Sequence, residues 1–160
     1  MINILFLSLL SFSVPSAAAP ARAADPQLHL SVYIVRGEHS RDSNSTTTTI
    51  TVDRGSLVYE QSYTGFRASG RKPVHIEKDL TPQDVRRLEA IIDGNKLLKS
   101  HSVKYDSSQP GSYFQGSIDI RLRSSNSAIR LSGMTYEIEA EGLYKKVQVL
   151  LDAIQSIVEP

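Results

Sequence analysis

Cysteine and tryptophan are absent from the chain. Without cysteine there is no disulfide framework, no thiolate metal site, no cysteine nucleophile and no lipidated cysteine. Neither charge is in surplus: 18 Lys and Arg stand against 17 Asp and Glu, a formal net of +1, with no basic block. A nucleic-acid binder needs a concentrated positive face for its phosphate contacts, so that class is set aside. Beyond the N-terminus no apolar run approaches the roughly 20 residues of a membrane span. The signatures G-x-S-x-G, H-E-x-x-H, G-x-G-x-x-G and the phosphate loop are also missing, and nothing nominates a metal or a cofactor.

What is present begins with an address. Ile2 to Val14 is apolar apart from Asn3, Ser8, Ser11 and Ser13, and is followed by Pro15, the small residues Ser16 to Ala19, and Ala21-Arg22-Ala23. A short apolar core followed by a small-x-small site has the form of a secretory signal peptide, although the positive charge before the core comes only from the α-amino group. The expectation is export to a bacterial periplasm or the outside, with cleavage near Ala23 and a single domain over residues 24–160. Arg22 is the only charged side chain in the leader, so the remainder is charge-balanced.

The remainder reads as grouped strands and two helices. Leu28, Leu30, Val32 and Ile34 alternate with His29, Ser31, Tyr33 and Val35, the period of a strand with one buried face. Gly37 to Ser45 is polar and reads as a loop. Thr46 to Val52 and Leu57 to Tyr63 form a hairpin around Asp53-Arg54-Gly55-Ser56, and Val74 to Asp79 is a fourth strand with Val74 and Ile76 on one face and His75 and Glu77 on the other. Thr81 is an N-cap with Pro82 at the first helical position and Asp84 placed to reach back, Leu80 and Val85 form a staple, and Gly94 ends a helix over 82–93. Ile118 to Leu122 and Ile129 to Leu131 form a second hairpin. Apolar residues at 143, 147, 150, 151, 154, 157 and 158 mark a C-terminal amphipathic helix. The expected class is α+β: a mainly antiparallel sheet of about six strands with two helices on one face, in the order β-ββ-β-α-ββ-α.

Two loops have the composition of contact surfaces. Thr64 to Pro73 carries Phe66 beside Arg67 between two glycines, with Arg71-Lys72 close by. Ser100 to Gln115 is long for a connection and carries Tyr105, Tyr113 and Phe114. Aromatics and Arg dominate interface hot spots, so these five residues are the binding candidates. His75 and Glu77 share a strand face and are the best-placed acid–base pair.

A cysteine-free chain with Gly65-Phe66 after an early strand, Leu80-Thr81-Pro82 and Leu88 in a capped helix, a Ser117–Leu131 hairpin and a final helix resembles the emfourins. These are small bacterial proteins that inhibit thermolysin-type metalloproteases through an exposed loop. The resemblance covers about residues 50 to 158, with Thr64 where that family tends to have a second glycine, and with an additional strand ahead of it. It implies that Phe66 and Arg67 are contact residues. The leading expectation is therefore a non-enzymatic module that binds a protein partner in the cell envelope or outside it, in the manner of a protease inhibitor. The alternatives are a small hydrolase with its site on the sheet around His75 and Glu77, or a binder of a small apolar ligand.

Overall fold

The computed structural model describes residues 27–39, 43–65, 70–106 and 109–159. The expected leader at 1–23 and the pair Phe66 and Arg67 lie outside these residues. One mixed sheet of seven strands organises the chain: β1 (Leu28–His39), β2 (Ser45–Asp53), β3 (Ser56–Thr64), β4 (Val74–Asp79), β5 (His101–Lys104), β6 (Gly111–Leu122) and β7 (Ser125–Met134), in the spatial order β4-β3-β2-β1-β6-β7-β5. All neighbours are antiparallel except β5, which runs parallel to β7. The helices are α1 (Pro82–Gly94), α2 (Thr135–Ala140) and α3 (Gly142–Val158).

The α+β class, the hairpins and the capped helix are as the residue pattern predicts. Thr81 accepts from the Asp84 N–H at 3.2 Å while Asp84 accepts from the Thr81 N–H at 3.0 Å and from its hydroxyl at 2.7 Å, closing a capping box. These bonds hold the Asp84 carboxyl below its ordinary value. Three features differ in detail. Gly37 to His39 is strand rather than loop, because β6 offers a partner along its whole length, pairing Gly37 with Tyr113 and His39 with Gly111. The long connection expected over 100–115 is largely sheet, with His101–Lys104 joining the edge beside β7 and β6 starting at Gly111. A short α2 precedes the C-terminal helix, and the Glu137 carboxylate accepts from the Met134 N–H at 3.3 Å where it starts.

The core follows from the period-two alternation. Leu28, Leu30, Val32 and Ile34 of β1 are buried with Ile50, Val52, Leu57, Ile118, Ile120, Leu122, Ile129 and Leu131 from its neighbours. Leu88 and Ile92 of α1, with Val147, Leu150, Ile154 and Ile157 of α3, join the same cluster. Two polar contacts fasten the layer: Lys78 Nζ donates to the Ile157 carbonyl at 2.6 Å, satisfying an end group of α3, and Arg87 donates to Ser156 Oγ at 3.1 Å. The opposite alternation phase, His29, Ser31, Tyr33, Val35 and their neighbours, forms a face that no helix among the described residues covers. Truncating Ile154, fully buried in α3, removes methyl groups from the layer contact. Ile154→Ala is expected to lower unfolding free energy by about 2–5 kcal/mol in urea denaturation, with little change in slope.

Candidate functional site

Strand direction brings the two expected contact segments to one end of the sheet. β3 ends there at Thr64, β5 ends there at Lys104, and β6 starts there at Gly111. Thr64 and Arg71 from the first segment and Ser112 and Tyr113 from the second line one hollow of about 380 Å³, together with Arg36, Glu38, Thr46, Tyr63 and Thr135. Two guanidinium groups and several hydroxyls therefore converge on one opening. The Arg71 guanidinium carbon lies 5.3 Å from the centre of the Tyr63 ring, a cation–π contact. Arg36 lies 5.5 Å from the Phe114 ring centre and donates to the Tyr144 hydroxyl at 3.2 Å. Ser45 Oγ and Thr64 Oγ1 are 2.6 Å apart across the β2–β3 rim.

The aromatic candidates separate into three environments. Tyr113 lies on the rim, stacked on His39 with ring centroids 4.4 Å apart, and its ring covers Gly37. A Cβ at Gly37 would meet that ring at 2.6 Å, so a side chain there would push the Tyr113 ring aside. Tyr105 is 37 % exposed and donates a hydrogen bond to Glu141, which raises its phenol pKa. Phe114 is 1 % exposed and meets Tyr144 edge-on at 5.4 Å, which makes it a core side chain supporting Arg36 from beneath. Alternation separates it from Tyr113: adjacent strand residues face opposite ways. Arg36, the cation between Phe114 and the hollow, was not singled out from sequence; its position two residues beyond Ile34 on the helix-facing phase was the available signal.

On the far edge, His75 gains a partner that sequence spacing does not reveal. The β3–β4 register sets Glu60 opposite His75, so Nδ1 lies 3.0 Å from Glu60 Oε1 while Nε2 lies 3.2 Å from Glu77 Oε1. When the imidazole is protonated both carboxylates accept from it, Glu60 contributing most, and this holds its pKa above the ordinary value. With each ring nitrogen turned to its own carboxylate, the two carboxylates point at the imidazole rather than at a common external point. No group of three or more His, Asp or Glu suited to a metal ion occurs among the described residues. His75 is more than half exposed and borders none of the three main hollows. His29 and Asp53 form a second pair on the uncovered face at 2.6 Å, beside a hollow of about 660 Å³ that also takes in Ser31, Thr51 and Arg121.

No helix among the described residues is long and apolar enough to cross a membrane. In comparison with known proteins, the chain matches no protein-family model and no curated sequence.

The His75 cluster gives a direct pH expectation. Because the folded-state pKa is raised, its contribution to stability is complete below the ordinary imidazole value and is lost as pH rises through the folded value. In NMR titration His75 should titrate above the ordinary imidazole value, and Glu60→Gln should bring it down further than Glu77→Gln. Equal titration of His75 in all three proteins would show that the carboxylates do not act on it.

Proposed function

We propose that the chain is an exported, non-enzymatic module that binds a protein partner in the cell envelope or outside the cell, at the hollow lined by Thr64 and Arg71 together with Ser112 and Tyr113. The observation that carries this reading is the convergence of Thr64 and Arg71 with Ser112 and Tyr113 on one opening that also holds Arg36. Arg and Tyr side chains give large contact area and directional hydrogen bonds at modest entropy cost, the composition of hot spots. Hydroxyl and guanidinium groups on the lining, beside the Glu38 carboxylate, offer hydrogen bonds and ion pairs to polar side chains of a protein. Phe66 and Arg67, the residues nominated by the resemblance to emfourins, belong to the segment that ends at this hollow, so an inhibitor-like use of the loop is consistent with it. Export rests on the Ile2–Ala23 pattern.

The test is capture of envelope and secreted proteins on the immobilised chain, followed by identification of what is retained. Arg71→Ala and Phe66→Ala are expected to weaken retention of the specific partner at least tenfold while leaving the melting temperature within a few degrees. Retention equal to wild type by both variants would sink the proposal.

A further inference from the structure

The face of the sheet turned away from the helices carries a charge pattern that complements itself. β1 is the fourth of seven strands, so β2 and β6, β3 and β7, and β4 and β5 occupy matching positions on either side of it. On this face the acidic groups Asp53, Glu60, Glu77 and Asp79 lie on β2, β3 and β4, outnumbering the His75 imidazole that sits between Glu60 and Glu77. The basic groups Arg121, Arg130 and Lys104 lie on β6, β7 and β5. One register row crosses Glu60, Thr49, Tyr33, Ser117 and Arg130 in turn, with Tyr33 at its centre and 45 % exposed. A second row crosses Asp53, His29 and Arg121, and in the row between them Val58 on β3 matches Ala128 on β7.

We propose that this face packs against the same face of a second copy of the chain, about a twofold axis running along β1 between the two sheets. That rotation keeps each row over itself and exchanges its ends. Glu60 then faces Arg130 and Asp53 faces Arg121, each pair occurring twice, as an isologous interface requires. Val58 meets Ala128, and Tyr33 meets Tyr33 at the axis. Within β5, β6 and β7 Asp119 is the one acid; it binds Arg130 at 2.7 Å and comes opposite Thr51, a hydroxyl donor. A twofold axis across the strands would instead set each acidic strand over its own copy, which like charges oppose. Aligned face-to-face packing is a standard arrangement of twisted sheets. Seven strands about 4.8 Å apart and about seven residues long present roughly 700 Å². Stable complexes bury about 800 Å² per partner, so the area is near what a dimer needs. The hollow beside His29 and Asp53 meets its own image and leaves room for the bridging water that polar interfaces commonly carry.

Sedimentation velocity on the full chain and two charge reversals tests this. The wild type is expected to dimerise in the micromolar range. Glu60→Lys brings two cations together at each contact and Arg130→Glu two anions, so each variant alone should sediment as a monomer there with unchanged circular dichroism. An equimolar mixture restores opposite charges at both contacts and should return the dimer; association through any other surface has no reason to require mixing. Tyr33→Lys, at the axis and exposed, should also be monomeric and serves if either reversal misfolds. A monomeric wild type, with the face left to solvent or to a foreign chain, overturns the proposal, as do variants that dimerise like wild type or a mixture that stays monomeric.

Discussion

Burial of the Leu28, Leu30, Val32 and Ile34 face of β1 beneath α1 and α3 is the constraint on which the other features depend. β1 pairs on both sides, with β2 over Leu30–Gly37 and with β6 over its whole length. A slip of one residue in either pairing would turn an entire row of aliphatic side chains to water and bring His29, Ser31 and Tyr33 under the helices. Each buried aliphatic side chain is worth about 1.5–3 kcal/mol relative to exposure, so such a slip is prohibitive. The register of the hairpins on either side follows from this central one.

That register distributes the chemistry. Because neighbouring strands alternate in direction, the connections leaving β3 and entering β6 arrive at the same end of the sheet, although residues 64 and 113 are far apart in the chain. Arg36 lies on the helix-facing phase of β1 just past the last buried aliphatic, where Phe114 and Tyr144 support it and the hollow begins. At the opposite edge the same logic brings Glu60 across from His75. The Glu60–His75 cluster is a consequence of pairing alone, whereas the hollow also takes Arg71 from outside any strand.

Much of the architecture was legible locally. The Thr81-Pro82-Asp84 start, the Leu80–Val85 staple and the 3.6-period stripe after residue 143 each specify a helix by contacts within a few residues. The Asp53-Arg54-Gly55-Ser56 turn likewise specifies its hairpin, with Arg54 and Gly55 both at positive φ. Two stretches misled for a common reason. Gly37-Glu38-His39 and Gly111-Ser112-Tyr113 lack strand character in isolation, yet they pair with each other, and backbone hydrogen bonds to a ready partner outweigh weak local propensity. Tyr113 and Phe114 could not be told apart by composition, since one on the rim and one in the core differ only in strand phase.

By itself the sequence determined the class, the helices and which phase of each strand turns inward, because these follow from solvent exclusion and from hydrogen bonds made within short stretches. It also determined that no thiol chemistry is available, since the chain has no cysteine. Only the tertiary structure decided that β1 is the middle strand, that Glu60 stands beside His75, and that Arg36, Arg71 and Tyr113 share one opening. Strand order and register are set by how seven strands and their covering helices close together over one core. That closure is a property of the whole sheet, and no segment of the chain carries it alone.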